Sequence, residues 1–388
     1  MSANVDDPGI KAASRRSFLR ACIASGCTLP FAASLSDALA APKVQYGGIF
    51  YEKKARNWEP GENKAVTCGL CPRHCTVPDG GRGYCGVREN RNGTYYTLVW
   101  GNACAVGVDP IEKKPLAHVI PGEKAFSIAT AGCNLKCKFC QNWNISQSRP
   151  ERTRNIDLPP DEVVKSALRY NCKAVAFTYN EPTVFHEYMV DTAAAAKTEG
   201  LKPVVISNGF IDEDPMIEMC KVMTAIKIDL KAFTKEFYKT MTGGRLKPVL
   251  ETLQLLKKQG MWFEIVNLII PTLNDKPDDI KAMCKWIKKE LGPGVPLHFS
   301  AFHPMYKLRN LPRTPNKTMF AAYDIARAEG LQYVYVGNVR PAGHRAEQTY
   351  CPKCGKVVID RRAYLVRQTN LKDGKCAFCG REIPGVWK

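Results

Sequence analysis

No stretch of this chain stays apolar for the ~20 residues a bilayer-spanning helix needs. The weakly apolar run from Ala21 to Ala33 is too short and is diluted by Ser25, Gly26 and Thr28. Hydrophobic residues make up 45% and charged residues 24%, which excludes a multi-span membrane protein, a disordered chain and a collagen-like fibre. Acidic charge is scarce: 37 Asp plus Glu stand against 56 Lys plus Arg, a formal net charge of +19. That balance favours an acidic partner such as nucleic acid, a phosphorylated molecule or an acidic protein, although a solvated basic surface gives the same count. At 388 residues the chain is one large domain with appendages or two domains, long enough to bury a real core. What it has in excess is cysteine, 17 in all. A chain of this length is not a small disulfide scaffold, so metal ligation leads.

The amino terminus reads as a targeting segment. Ser14-Arg15-Arg16-Ser17-Phe18-Leu19-Arg20 resembles a twin-arginine export signal, and Ala38-Leu39-Ala40 supplies a small-x-small cleavage pattern. The expectation is a signal over residues 1–40, a mature chain from near Ala41, and export to the periplasm if the signal is used, otherwise a cytoplasmic location. A lipoprotein reading at Cys27 is weaker, because Ala24 stands where a larger aliphatic residue is usual.

Eleven cysteines fall into three groups: Cys68, Cys71, Cys75 and Cys85; Cys133, Cys137 and Cys140; and Cys351, Cys354, Cys376 and Cys379. Between the second and third groups, short apolar runs alternate with amphipathic helical patterns. The runs are Ala125 to Ala129, Ala174 to Thr178, Pro203 to Ser207, Ala225 to Leu230, Phe263 to Ile270, Leu297 to Ala301 and Tyr333 to Val336. Each predicts a buried strand. The helical patterns are Asp161 to Tyr170, Thr183 to Glu199, Leu246 to Gln259, Asp278 to Leu291 and Thr318 to Glu329, with stops at Asn171, Gly200, Gly260 and Gly330. The fold class is α/β: a partial or complete parallel β/α barrel with a small cysteine-rich amino-terminal module and a carboxyl-terminal zinc ribbon. The expected boundaries are 41–120 for the first module, 121–340 for the barrel and 341–388 for the ribbon.

Cys133, Cys137 and Cys140 stand at C-x3-C-x2-C directly after the first predicted strand. A closed structural zinc site wants four ligands, whereas three thiolates suit an iron–sulfur cube with one iron left open. Gly132 permits the sharp departure from the strand, and Phe139 would shield the cluster on one side. This spacing, with an aromatic before the third cysteine on a barrel's first strand-to-helix loop, resembles the radical S-adenosylmethionine superfamily. The resemblance implies a 4Fe-4S cluster that S-adenosylmethionine chelates, reductive cleavage to a 5'-deoxyadenosyl radical, and hydrogen abstraction from a substrate. It extends to later strand ends. Asn180 and Glu181 in Thr178-Tyr179-Asn180-Glu181-Pro182 would hold the methionine ammonium; Ser207, Asn208, Asp229 and Lys231 would contact the ribose and the methionine carboxylate; Asn267 and His303 would complete the ring. Lys136 and Lys138 are either docking charges for an acidic electron donor or plain solvated lysines.

The narrower similarity is to the radical enzyme of the AmmeMemoRadiSam system, related to the pyruvate formate-lyase activating enzymes. It spans Phe50-Tyr51-Glu52-Lys53 to the last residues, carried by Cys68 to Cys75, Gly83 to Arg88, Asp109 to Leu116, Cys140 to Trp143 and Gly374 to Trp387. It implies a low-potential electron donor of flavodoxin or ferredoxin type and leaves the substrate open. Activation of a glycyl radical enzyme is one alternative, and a non-catalytic exported iron–sulfur or redox protein is another.

The last four cysteines form two C-x2-C knuckles and point to zinc or iron. Cys68, Cys71, Cys75 and Cys85 suit zinc or a second cluster, and Cys104 can replace a ligand. Residues 340–388 hold eleven Lys or Arg against four Asp or Glu, a local +7 that would steer an acidic macromolecule, protein before RNA, with Arg361 and Arg362 as the contacts to reverse.

Overall fold

A computed structural model describes residues 42–339 and 345–388. The expected signal, with Arg15 and Arg16, lies outside the described residues. The framework is an eight-stranded sheet whose strands follow chain order: β1 (Ala105–Pro110), β2 (Lys124–Ala129), β3 (Ala174–Phe177), β4 (Lys202–Ser207), β5 (Ala225–Asp229), β6 (Phe263–Ile269), β7 (Leu297–Ala301) and β8 (Val334–Gly337). β2 to β8 are parallel neighbours throughout, and β1 runs antiparallel along β2 with Ala125 opposite Asp109. The strand order is linear, with β1 and β8 as its ends, so the complete barrel among the two expected forms is not what the ladder builds.

The parallel strands read as continuous apolar runs because both faces are covered; Ala174, Val175, Ala176 and Phe177 are all fully buried. One face carries α1 (Pro160–Arg169), α2 (His186–Thr198), α3 (Glu213–Val222), α4 (Leu246–Lys258), α5 (Pro277–Trp286) and α6 (Asn316–Ala328). These helices share one large core with the strands, including Phe185, Met189, Met219, Leu253 and Ile280. α3 had no place among the predicted helices.

The three expected modules do not separate. Pro42–Lys388 is one compact unit. The amino-terminal module is built of strands of two to six residues and is tied to the helices by a buried ion pair, Arg88 Nη2 to Glu187 Oε1 at 2.9 Å. The chain end returns to the sheet: Ile120 N donates to Val386 O and Val386 N to His118 O, both at 2.7 Å. Among the described residues no helix is long and apolar enough to cross a membrane.

Candidate active site

Most of the parallel strands deliver polar residues at their carboxyl ends, and these, with Val266 and Leu268 of β6, wall a cavity of about 810 Å³. This volume lies in the range of small-molecule sites. After β2 the chain turns at Gly132, φ +89°, where a Cβ would lie 2.6 Å from Val87 Cγ1 and 2.7 Å from Cys85 O. Only glycine fits between the sheet and the amino-terminal module there. The turn brings Cys133, Cys137, Phe139 and Cys140 onto the cavity wall. Leu135 N donates to Cys133 Sγ at 3.4 Å, and Ser146 Oγ lies 3.2 Å from Cys140 Sγ. Burial pushes the Cys137 thiol up to about 12, against the lowering influence of Lys231, so the thiolate form needs further compensation from a cation or metal.

After β3, Tyr179 takes a left-handed conformation (φ +67°) and donates to Asp109 Oδ2 at 2.9 Å. Asn180 Nδ2 donates to the carbonyls of Thr130 and Gly132, both at 2.7 Å. Its Oδ1, turned away from those bonds, is buried with no partner while the residue lines the cavity. Glu181 also lines the cavity and is 1% exposed. Its Oε1 accepts from Thr183 N, Thr183 Oγ1 and Ser207 Oγ, and its Oε2 accepts from Asn208 N at 2.7 Å. Burial raises its carboxyl, and the Asn208 and Thr183 amides hold the rise back.

After β5, Asp229 pairs with Lys231 Nζ at 3.3 Å and with Lys227 Nζ. Burial alone would lower Lys231, but Asp229 and the Cys137 thiol more than offset it and hold its ammonium charged. Lys231 Nζ also stands 5.8 Å from the Phe139 ring. The structure thus gathers Cys133, Cys137, Phe139, Cys140, Asn180, Glu181, Asn208, Asp229, Lys231 and His303 around one space.

Two expected contacts need correction. Ser207 and Asn267 do not line the cavity: the Ser207 hydroxyl is spent on Glu181, and Asn267 Nδ2 donates to Leu230 O at 2.8 Å while its Oδ1 is buried without a partner. Sequence reasoning missed Lys113, Lys227 and His298, which also line the cavity, and Asp109, which lies off its wall and binds Lys113 and Lys114, each at 2.6 Å. Asp109, Lys113 and Lys114 belong to a passage that carries the family resemblance, and sequence reasoning assigned them no role.

Lys138 is exposed and Lys136 is half-buried over the Tyr84 ring at 5.1 Å. Cys104 does not line the small cavity that Cys68, Cys71, Cys75 and Cys85 share, so it is no substitute ligand there. At the carboxyl terminus Cys351, Cys354, Cys376 and Cys379 bring their Sγ atoms within 4.8 Å of one another, with Cys351–Cys379 at 3.6 Å and Cys354–Cys376 at 3.7 Å. Arg361 is not a steering residue. It is 4% exposed, donates to Thr349 Oγ1 at 2.7 Å and to Ala117 O at 2.5 Å, and lies 3.8 Å from Glu112 Oε1. Arg362, its neighbour at the end of the central strand of the carboxyl-terminal sheet, is exposed.

A sequence profile of the Radical SAM superfamily matches residues 127–287, from β2 to the end of α5. An uncharacterized protein of Methanocaldococcus jannaschii is 43% identical over 337 residues, covering 86% of this chain and 98% of that protein. The chain belongs to the radical SAM superfamily. It is an enzyme of that superfamily, homologous to the pyruvate formate-lyase-activating enzymes. That of Clostridium pasteurianum is 24% identical over 199 residues, covering 46% of this chain and 80% of its own length. A solved domain of pyruvate-formate lyase-activating enzyme from Bacteroides vulgatus superposes with a TM-score of 0.38 at 16% identity, over 42% of this chain and 99% of that domain. The superfamily implies a 4Fe-4S cluster and S-adenosylmethionine. The residues present fit both. Three cavity-facing thiols suit a cube with an open iron, and the orphaned Asn180 Oδ1 is the acceptor an ammonium group requires.

Proposed function

We propose that this chain is a radical S-adenosylmethionine enzyme of the AmmeMemoRadiSam type that abstracts hydrogen from a macromolecular substrate. Cys133, Cys137 and Cys140 would hold the 4Fe-4S cluster, and Asn180, Asn208, Asp229 and Lys231 would hold S-adenosylmethionine. When bound, that pair supplies a 5'-deoxyadenosyl radical after one-electron reduction; the chain supplies binding, orientation and exclusion of water. Asn180 Oδ1 would accept from the ammonium, and Glu181 positions the Asn208 loop by accepting from the Asn208 amide. Lys231, kept charged by Asp229, would meet the carboxylate. Phe139, packed on Phe237 at 5.8 Å between ring centres, keeps water from the thiols. The observation that carries this reading is the shared wall of three thiols and an unpartnered buried acceptor.

The substrate reading is supported by the cavity's outer reach, which runs past Asn338 to Arg361, Ala363 and Tyr364 of the carboxyl-terminal module. The open eight-stranded sheet is read as the partial barrel, and the four tightly gathered thiols at the carboxyl terminus as a zinc ribbon. A second reading, activation of a glycyl radical enzyme, is favoured by the relatives named pyruvate formate-lyase-activating enzymes. Export of the folded, metallated chain through the twin-arginine route accompanies either reading. The test is anaerobic reconstitution with a chemical reductant and S-adenosylmethionine. The parent should release 5'-deoxyadenosine, Cys137→Ala should release none, and undiminished release by Cys137→Ala would sink the assignment.

A further inference from the structure

The loop that carries the three cavity thiols has two sides. Cys133, Cys137, Phe139 and Cys140 line the cavity, whereas Lys136 and Lys138 between them do not. Lys138 is exposed and Lys136 half-buried, so the loop sets its thiols toward the cavity and its lysines toward solvent. Three other segments are bonded to this outer side. Lys136 N donates to Thr242 O at 2.8 Å, Lys138 N to Met241 O at 2.9 Å, and Lys307 N to Lys138 O at 3.0 Å. Arg73 fastens the amino-terminal module there, donating from Nε to Asn134 O and from Nη2 to Gly243 O, both at 2.6 Å, and Arg245 Nη2 reaches Pro72 O at 2.6 Å.

These bonds gather Arg73, Lys136, Lys138, Arg245 and Lys307 on one face. Tyr84 stands among them, 41% exposed, with Arg73 Cζ 3.5 Å and Lys136 Nζ 5.1 Å from its ring centre. The arginine donors go to carbonyl oxygens, which leave the positive charge standing. Two cations that share one exposed ring repel each other, and a carboxylate-rich surface laid over them turns that repulsion into attraction. An exposed tyrosine flanked by a guanidinium and an ammonium group also has the composition of an interface centre, where Tyr and Arg are enriched.

We propose that this face is the docking surface for a small acidic protein that donates one electron at low potential from a flavin or an iron–sulfur centre. One electron leaves the donor, which is oxidised by one equivalent, and reduces the 4Fe-4S cluster by one; no bond is made or broken. Lys138 is separated from the Cys137 ligand by a single peptide bond and lies off the cavity wall. The donor therefore reaches the thiol loop from outside and leaves the cavity free for S-adenosylmethionine and substrate. This docking role rests on the reading of Cys133, Cys137 and Cys140 given above.

The test uses the full chain, reconstituted anaerobically with iron and sulfide, and follows the bleaching of cluster absorbance by stopped flow. The probes are photoreduced flavodoxin and dithionite, a small reductant that needs no docking surface. Flavodoxin should reduce a Lys138→Glu, Lys307→Glu variant about tenfold more slowly than the parent at about 0.01 M salt, where the Debye length is about 30 Å. The difference should vanish at about 1 M, where that length is about 3 Å. A Lys173→Glu, Lys258→Glu variant makes the same change of charge at exposed positions before β3 and at the end of α4, at the opposite end of the sheet, and should behave like the parent. Dithionite should reduce all three chains alike. Equal flavodoxin rates for the parent and the Lys138 variant, or equal slowing of both variants, overturn the docking surface. A parent that dithionite does not reduce overturns the reading of the three thiols, and the docking role with it.

Discussion

Acidification should loosen the seam between the sheet and the carboxyl-terminal module, and His118 sets the amount. Its ring is buried, with Nδ1 2.6 Å from Pro384 O and Nε2 2.7 Å from Tyr335 OH. A carbonyl only accepts, so Nδ1 carries the proton and Nε2 accepts from Tyr335. The hydroxyls are ordered from the far end, since Arg361 Nη1 donates to Thr349 Oγ1 at 2.7 Å and Thr349 lies 2.8 Å from Tyr335 OH. Burial pushes the imidazole down from its ordinary 6.5 to about 4; Glu264 and the Pro384 carbonyl oppose this, while Arg361 and His298 add to it. Because the folded value is depressed, the contribution is complete above pH 6.5 and is lost as pH falls from there to about 4, where both states are protonated. At 1.36 kcal/mol per pH unit the loss is on the order of 3 kcal/mol. Urea unfolding of the parent and His118→Gln should therefore be compared from about pH 7.5 to about pH 4. Glutamine keeps a donor and an acceptor but does not titrate, and metal release from the thiol sites weakens both chains alike. The stability advantage of the parent should shrink by about 3 kcal/mol across that range. Parallel curves would refute the assignment of the proton to His118.

Reversing charge at Arg361 and at Arg362 should give opposite outcomes. Arg361→Glu sets a buried carboxylate against Glu112 and Ala117 O and should cost about 3–5 kcal/mol, whereas Arg362→Glu at an exposed position should stay within about 0.5 kcal/mol, as thermal unfolding will report. Cys376→Ser should release the carboxyl-terminal metal, measured per chain by elemental analysis, and open residues 345–388 to protease while the iron content is unchanged. Lysine at both Arg15 and Arg16 should retain the chain in the cytoplasm on fractionation without altering the purified enzyme.

The sheet was legible because parallel strands are buried on both faces and leave unbroken apolar runs; seven such runs coincide with β2 to β8. β1 was not legible. It is an edge strand whose Val106 and Val108 are exposed, so its pattern of alternating burial hid among loop residues. α3 escaped for a related reason: it buries only Pro215, Met216 and Met219 and has no closing glycine to mark its end. In the amino-terminal module, pieces as short as Lys53–Lys54 and Thr76–Val77 carry no periodicity at all. Only the cysteine spacing spoke there.

At the site, legibility followed sequence distance. Strand-end residues were found because a parallel sheet brings its loops to one side, so each loop could be read locally and the gathering inferred. The partners that fix those residues are not local. Glu181 works through Ser207 and Asn208, 26 and 27 residues on, and the Tyr179 hydroxyl reaches back 70 residues to Asp109. Arg361 shows the same limit for charge. Counted by composition it belongs to a basic surface, yet it reaches Ala117 across 244 residues and orders the hydroxyl chain that ends on His118 Nε2. A net charge says how many cations a segment carries; which of them face solvent depends on contacts that close only when the chain end returns to the sheet. Any steering by this module must therefore rest on exposed groups such as Lys353, Lys356 and Arg362, while Arg361 holds the wall of the cavity those groups would serve.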